Sequence, residues 1–472
     1  MKKESLKNIV LVLLVLSSVV LTFNIWTDEK LWPDGYNFFS NIAKFLPFQQ
    51  EDSAAGSLSK EKLALPKKLV VNNAAARSLY FETSEEYDRL IGDVKDIFVQ
   101  ALETDNAVTA SNDDWTAALR ARSIYVSYPV LYDISVASDI LGVREVSLDV
   151  SKVKDFIISL GDTVSSNLSV YIKDYDSGTV LRCPVKYDKQ AFESLLNVYA
   201  TESTGVLPYS FELNFDKRTP DAPLQKVTID PDVLITINKT VLSSLRYENP
   251  LYDAQTDEYQ QERLNTILKK FGYNMSTVRK YSETDGSIVF VENYGTIKVS
   301  PDGLVEYRAI TNDRGVQLDA AGSDSFNKIF TAALNFVADM WNDALPEYEI
   351  NLGLSSDIVN TRTDRFTLRM NYYSDGTLIW DSAAASAYGV EMEIVDAKIV
   401  SYRQLFRLYE KDGQTIENMS TIEALDIVRG ENLFENTDSI REVYPAYAFD
   451  NGECYATWMV KNQDGKSALL RR

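Results

Sequence analysis

The hydrophobic pattern sets the first 27 residues apart from the rest of the chain. No residue from Asn8 to Thr27 is charged, and Ile9 to Trp26 consists mainly of Ile, Val, Leu and Phe. A helix of this length, at about 1.5 Å per residue, covers a hydrocarbon core of about 30 Å. Three lysines outweigh one glutamate on the amino-terminal flank, and a basic flank stays in the cytoplasm. We therefore expect residues 1–27 to form a single-pass anchor in the cell membrane, with the body of the protein extracellular.

A cleaved signal peptide is the alternative interpretation of this segment. It requires a shorter apolar run that ends in small residues at the cleavage site. This run ends instead in Phe23, Asn24, Ile25 and Trp26, and a tryptophan at this place is typical of a membrane interface. The pattern favours an uncleaved transmembrane helix.

Beyond the anchor the pattern predicts a linker and an α+β ectodomain. Residues 28–65 combine aromatic side chains with a small, polar stretch, which is typical of a membrane-proximal linker. Helical and alternating patterns then follow each other in three successive stretches, residues 66–215, 216–345 and 346–472. We expect about three antiparallel-sheet units, each covered by one or two helices.

Individual elements are marked by local signals. Thr83 with Glu86, and Ser420 with Glu423, have the spacing of a capping box at a helix start. Strict alternation of apolar and polar residues predicts strands, and Asx-Gly pairs predict the turns between them. The predicted helices include Asp257–Phe271 and Ser325–Trp341, and the predicted strands include Tyr209–Phe215, Arg365–Tyr373 and the hairpin of Leu168–Lys173 with Thr179–Val185.

Charge and composition narrow the function. The 472 residues carry a net charge of −21, and an acidic body of this kind repels nucleic acid. The chain contains no histidine, so Ser-His and Cys-His nucleophiles and histidine-ligated metals are excluded. Cys183 and Cys454 have no CxxC partner; a disulfide between them stays open, but two buried, unpaired thiols are favoured.

The remaining candidate motifs favour structural roles. Ser-x-x-Lys occurs four times, in unrelated contexts and without a Lys-Thr-Gly motif downstream. The carboxylate pairs Asp113–Asp114 and Glu391–Glu393 are typical of a solvated surface, and Asp174-x-Asp176-x-Gly178 is typical of a hairpin turn rather than a calcium loop. We therefore predict no catalytic residues, no cofactor, no metal site and no small-molecule substrate.

Both ends of the chain resemble one family. The opening MKKESLKNIV, the Ser-Ser-containing apolar run and the exit LTFNIWT resemble YycH-type proteins, membrane-anchored regulators of the essential cell-wall sensor histidine kinase of Gram-positive bacteria. The carboxy-terminal STIEALDIV, followed by two predicted strands with Trp458, is similar to the last domain of YycH and of its partner YycI, and to PepSY-type modules.

The resemblance implies a non-enzymatic regulator that binds a sensor histidine kinase and a YycI-like partner. The membrane helix and possible further contacts of the ectodomain would carry this binding. Helix association in lipid relies on close packing at small residues, and one helix face offers a small-xxx-small pattern flanked by larger side chains. This predicted partner-binding face comprises Leu14, Ser18, Leu21, Thr22 and Ile25.

Two alternatives stay open at this point. Ser18 and Thr22 could simply hydrogen-bond to carbonyls of their own helix. The body could instead be an extracytoplasmic, carboxylate-dependent enzyme or a binding module that acts on cell-wall material.

Overall fold

The computed structural model of the chain describes residues 58–470 with several short gaps. The gaps are residues 75, 82–84, 144, 161–167, 201–206, 216–227, 321–324, 356–363, 385, 387, 432, 435–438 and 451. The predicted anchor, with Leu14, Ser18, Leu21, Thr22 and Ile25, lies outside the described residues. Within the described ranges, no helix combines the length and apolar character that crossing a membrane requires.

The first sheet consists of seven antiparallel strands. Their spatial order is β2-β1-β4-β5-β6-β7-β3. The strands are β1 (Lys68–Asn72), β2 (Arg77–Tyr80), β3 (Val108–Ala110), β4 (Ser123–Asp133), β5 (Lys152–Ser159), β6 (Leu168–Lys173) and β7 (Val180–Val185). The helices of this part of the chain are α1 (Lys60–Leu63), α2 (Glu85–Leu102), α3 (Asn112–Arg120), α4 (Ile134–Leu141) and α5 (Lys189–Tyr199).

Both faces of the first sheet are covered. On one face Phe98 of α2 stacks on Phe156 of β5, with ring centroids 3.6 Å apart. On the other face Trp115 of α3 packs in a separate buried cluster with Ile157, the next residue along β5. Because successive side chains of a strand point to opposite faces, this arrangement explains why β5 is apolar at consecutive positions.

Most of the remaining strands form one large sheet. In chain order they are β8 (Thr228–Ile229), β9 (Thr240–Glu248), β10 (Tyr252–Asp253), β11 (Glu258–Tyr259), β12 (Arg279–Ser282), β13 (Ile288–Val291), β14 (Gly295–Val299), β15 (Leu304–Ala309), β16 (Val316–Gln317), β17 (Leu352–Leu354), β18 (Arg365–Ser374), β19 (Thr377–Asp381), β20 (Val390–Val395), β21 (Lys398–Leu405), β22 (Leu408–Asn418), β23 (Ser439–Asp450), β24 (Glu453–Asn462) and β25 (Ser467–Leu469). Fourteen of them pair in one sheet with the main path β12-β13-β14-β15-β21-β20-β18-β19-β23-β24-β25, whereas β9–β22 and β10–β11 are separate two-stranded ribbons.

The large sheet corrects the expectation of about three sheet units. Strand β15, from the predicted central stretch, pairs antiparallel with β21, from the predicted carboxy-terminal stretch, and Tyr307 lies opposite Tyr402. The described residues therefore contain two large sheets, because the central and carboxy-terminal strands share backbone hydrogen bonds. This pairing crosses the position 345/346, and the proposed residue ranges of the domains stay predictions.

Three helices accompany the second sheet: α6 (Gln261–Lys270), α7 (Phe326–Ala344) and α8 (Thr421–Gly430). The predicted capping box of α8 is confirmed, since the Ser420 N–H donates to the Glu423 carboxylate at 2.8 Å and the Glu423 N–H donates to Ser420 Oγ at 3.2 Å. Helix α7 also contacts the end of the predicted linker, because Asn342 exchanges two hydrogen bonds with the backbone of Leu58. Of the other predicted capping box, Thr83 lies outside the described residues.

Two predicted elements differ in the structure. The predicted strand Tyr209–Phe215 contains instead a 3₁₀ helix, Ser210–Leu213. Its start is fixed by the Glu212 carboxylate, which accepts the Tyr209 N–H at 2.8 Å and is held by Arg77. The predicted helix Asp257–Phe271 begins only at Gln261, because Asp257 has a φ of +57° and cannot be α-helical.

The cysteines are both free thiols. Cys183 is fully buried, and burial raises its pKa to about 12. Cys454 is only half-buried, which differs from the expectation that both would be buried. The prediction that they are unpaired is confirmed.

Candidate functional site

A cavity of about 530 Å³ lies where the first sheet meets the β23–β24 hairpin of the second. Its walls come mainly from five places: strands β1, β4 and β5, the segment 230–236, the start of β9, the turn between β18 and β19, and strand β23. Much of the wall is aromatic. The aromatic residues that line it are Phe81, Tyr125, Tyr128, Tyr175, Tyr373, Tyr444, Tyr447 and Trp458.

A buried ion pair joins the two sheets at this cavity. Lys154 of β5 donates to the Glu442 carboxylate of β23, and their side chains are only 5% and 19% exposed. Burying two charges is costly, and their mutual attraction offsets that cost only when both find partners. Lys154 and Glu442 therefore hold each other at the junction.

Asp155, the neighbour of Lys154, is satisfied by two tyrosines. The Tyr125 hydroxyl donates to Asp155 Oδ1 at 3.0 Å, and the Tyr175 hydroxyl donates to Oδ2. Burial, together with the charge of Asp155, raises the pKa of both phenols well above the usual value. Both tyrosines therefore stay protonated donors at neutral pH.

Asp232 has no comparable partner. Its side chain lines the cavity and is 6% exposed, yet within the described part of the chain no group donates a hydrogen bond to its carboxylate or forms an ion pair with it. Burial raises its pKa to about 6; Lys173 and Lys68 oppose this shift, whereas Asp155 and Asp230 add to it. The effect of burial therefore outweighs that of the two lysines, and the ionised carboxylate is costly.

Lys68 of β1 is the matching cation. Its ammonium lies 5.2 Å from the centroid of the Tyr125 ring and forms no ion pair with any residue that the structure describes. Burial lowers its pKa, although Asp155 and Asp232 act in the opposite direction. Asp232 is therefore a buried acid of the cavity wall and Lys68 a partly exposed cation, and each opposes the pKa shift of the other.

The segment that carries Asp232 is fixed to both sides of the junction. On one side the Ile235 N–H donates to the Pro208 carbonyl at 2.8 Å. On the other side the Asp230 N–H donates to the Ile440 carbonyl at 2.8 Å, and the Thr236 N–H donates to Thr421 Oγ1 at 2.9 Å. These bonds place the Asp232 carboxylate between the sheets.

The turn between β18 and β19 closes another side of the cavity. Asp375 and Gly376 both have positive φ, +46° and +68°, and they connect the paired residues Ser374 and Thr377. Phe81 packs so closely on Gly376 that a β-carbon there would overlap the phenyl ring. Position 376 therefore requires glycine, because its φ is positive and because Phe81 leaves no room for a side chain.

Comparison with known proteins shows a likeness to YycH proteins in sequence and in fold. Residues 4–198 match the family model described as "YycH protein, N-terminal domain". The amino-terminal part of the chain is therefore similar to the amino-terminal domain of YycH proteins. The fold agrees: the crystal structure of YycH from Bacillus subtilis superposes with a TM-score of 0.61 at 11% identity and covers 88% of this chain and 98% of that one. A search of curated proteins found no match.

The resemblance to YycH-type proteins that the sequence predicted is thus confirmed. The likeness of the carboxy-terminal stretch to YycI and PepSY modules stays a prediction. So does the partner-binding face of the anchor, whose five residues lie outside the described ranges.

The other motifs of this YycH-type chain have structural roles where they are described. Asp114 closes a capping box with Ser111 at the start of α3, and Asp174 accepts hydrogen bonds within its hairpin turn, from the Asp176 N–H at 3.1 Å among others. Glu391 and Glu393 form ion pairs with Arg369 and Arg365. Among the described residues, no group of three or more Cys, Asp or Glu side chains is arranged to hold a metal ion.

The residues of the cavity were missed by the sequence analysis. One signal was available: Lys154 and Asp155 lie together directly before the apolar run of β5, and charged residues at buried strand positions require partners. Lys68 and Asp232 lack such a signal, because their neighbourhood depends on segments that are distant in sequence.

Proposed function

We propose that this protein is a membrane-anchored, non-enzymatic regulator that binds a sensor histidine kinase and a YycI-like partner. In this role it tunes two-component signalling in cell-wall homeostasis, with its body outside the cytoplasm. The observation that carries the proposal is the YycH family match over residues 4–198, which runs from the predicted anchor through the first sheet into α5. The YycH family suggests regulation of a two-component system rather than catalysis.

The anchor is the proposed docking element for the kinase. Lipid gives little hydrophobic drive between helices, so close approach at small residues decides association. Ser18 and Thr22 are four residues apart and share a helix face, which lets a partner helix approach closely between Leu14, Leu21 and Ile25. Filling this face with larger side chains should cost about 1 to 2 kcal/mol, or roughly five- to thirty-fold in association.

The test is association of the full chain with its cognate sensor kinase in membranes, measured by energy transfer between the two proteins. We expect the Ser18→Leu, Thr22→Leu double variant to associate five- to thirty-fold more weakly. Ser17→Leu is the control for Ser18→Leu alone, because Ser17 lies about 100° from Ser18 around a helix and its replacement adds the same apolar bulk as that single change. Equal association of the double variant and the control would refute docking through this face.

An anchor exchange separates the helix from the ectodomain. Deleting residues 346–472 is unsuitable, because β15 would lose its pairing with β21. Replacing residues 1–27 by an unrelated membrane helix leaves the ectodomain whole. Loss of association then assigns the contact to the anchor, whereas full retention assigns it to the ectodomain. A kinase autophosphorylation rate that does not respond to the full chain in proteoliposomes would contradict the regulatory proposal itself.

A further inference from the structure

We infer that the cavity between the two sheets binds a small zwitterion of the amino acid or short-peptide class, with its ammonium on Asp232 and its carboxylate on Lys68. This goes beyond the proposed function and does not depend on it. The inference concerns binding at the cavity, whether or not the anchor contacts a kinase.

The size and walls of the cavity suit a small ligand. Its volume of about 530 Å³ is within the range of small-molecule sites, which is about 300 to 1,000 Å³. Such sites combine apolar and aromatic walls with a few polar groups that fix the orientation of the ligand. The aromatic residues from both sheets provide these walls, and Lys68 and Asp232 provide the polar groups.

The choice of these two groups follows from how the neighbouring charges are satisfied. Lys154 is paired with Glu442, and Asp155 accepts hydrogen bonds from Tyr125 and Tyr175. The carboxylate of Asp230 also accepts a hydrogen bond, from Ser439 Oγ at 3.2 Å. Asp232 and Lys68, by contrast, have neither a hydrogen bond nor an ion pair from their side chains to any residue that the structure describes.

The signs of the two groups select the class of ligand. An anion alone would satisfy Lys68 but would bring a like charge near Asp232 and Asp155. A cation alone would place a second positive charge near Lys68 and offer no anion to its ammonium. A neutral apolar molecule would exclude water from both groups without replacing it. A molecule that carries both an ammonium and a carboxylate satisfies the two groups together.

The protonation behaviour agrees with this geometry. Burial raises the pKa of Asp232 and lowers that of Lys68, and the opposite charges nearby only partly offset these shifts. An ammonium next to Asp232 and a carboxylate next to Lys68 would oppose both shifts. Because binding of the ammonium requires ionised Asp232, the affinity should fall as the pH is lowered through about 6.

The test is calorimetric titration of the full chain in detergent micelles at pH 7.5. The probes are L-phenylalanine and L-alanyl-L-phenylalanine, each compared with its N-acetylated and its carboxy-amidated form. We expect at least one of the two zwitterions to bind, and each blocked form of that probe to bind at least ten-fold more weakly. This comparison uses the unaltered protein and needs no variant to fold.

Variants then assign the two ends of the ligand. Asp232→Asn and Lys68→Gln should each weaken binding of the zwitterion at least ten-fold. The matched controls Asp105→Asn and Lys95→Gln remove the same charges at exposed positions and should leave the affinity unchanged. Absence of binding by both zwitterions, equal binding of the blocked forms, or unchanged affinity in both cavity variants would overturn the inference. None of these results bears on kinase association, which is measured separately.

Discussion

Replacing Asp232 by asparagine should stabilise the protein at neutral pH. Asn keeps the shape of the side chain but removes its charge. The pKa of Asp232 is raised to about 6 in the folded protein, whereas the ordinary value of an aspartate is about 3.9 and one pKa unit corresponds to about 1.4 kcal/mol. The ionised carboxylate therefore costs the folded state about 3 kcal/mol at pH 7.5.

The sign of the pH dependence follows from proton binding. Between about pH 4 and pH 6 the folded state holds the proton on Asp232 while the unfolded state has lost it, so the parent loses stability as the pH rises through this window. Burial is the main cause, Asp155 and Asp230 add to it, and Lys173 and Lys68 partly offset it. The Asp232→Asn variant lacks this dependence of stability on pH. Its gain in free energy of unfolding over the parent should be absent at pH 4 and reach about 3 kcal/mol at pH 7.5.

The assay is urea unfolding of the full chain in detergent micelles at pH 4.0, 5.0, 6.0 and 7.5, followed by tryptophan fluorescence. Trp458 lines the cavity and reports on this region directly. Asp105→Asn is the control for loss of an exposed charge and should show no pH-dependent difference. A constant difference at all pH values, or a less stable Asp232→Asn variant at pH 7.5, would show that the carboxylate has a favourable partner. Either result would refute both the desolvation argument and the ligand inference.

Two further substitutions probe the surroundings of the cavity. Gly376→Ala should destabilise the protein by about 1 to 3 kcal/mol, because φ at Gly376 is +68° and the new β-carbon overlaps Phe81. Adding Phe81→Ala should recover the part of this loss that is due to the overlap. If the two effects on the free energy of unfolding in urea are simply additive, the two residues are not coupled in this way. Arg77→Lys should cost about 1 to 2 kcal/mol at pH 7, since lysine cannot replace the two hydrogen bonds of 2.6 and 2.8 Å to Glu212. Burial raises the pKa of Glu212, but Arg77 and the Tyr209 N–H outweigh burial and hold that pKa below its usual value. The stability lost in Arg77→Lys should therefore shrink as acid protonates Glu212. A loss of stability that does not change with pH would argue against the ion pair.

Elements with complete local signals could be predicted from the sequence. In the hairpin of β6 and β7, the carboxylate of Asp174 accepts a hydrogen bond from the Ser177 N–H of the same turn. Helix α8 begins with the Ser420–Glu423 capping box. Alternation in β18 was equally informative, because Phe366, Leu368 and Met370 are buried in register against β20. In each case the information lies within about ten residues of chain.

Elements that depend on distant segments could not be predicted in this way. The stretch Tyr209–Phe215 alternates like a strand, but its conformation is set by Arg77, which holds Glu212 from β2. The sequence of β15 also does not predict that β15 pairs with β21. A strand at the edge of a sheet and a strand paired on both sides have the same alternation of apolar and polar residues. The sheets were therefore counted wrongly, although most of their strands were predicted.

The cavity is formed by segments that are distant in sequence, and it buries the carboxylate of Asp232 at a cost in stability. Ionised Asp232 costs about 3 kcal/mol in the empty protein. A ligand at one hundred times its dissociation constant stabilises the state that binds it by about 2.7 kcal/mol. The ammonium of a bound ligand would therefore offset part of the cost of burying the carboxylate. Because Lys68 belongs to the first sheet and the segment of Asp232 is bonded to Ile440 of the second, a ligand held by both would stabilise the junction itself.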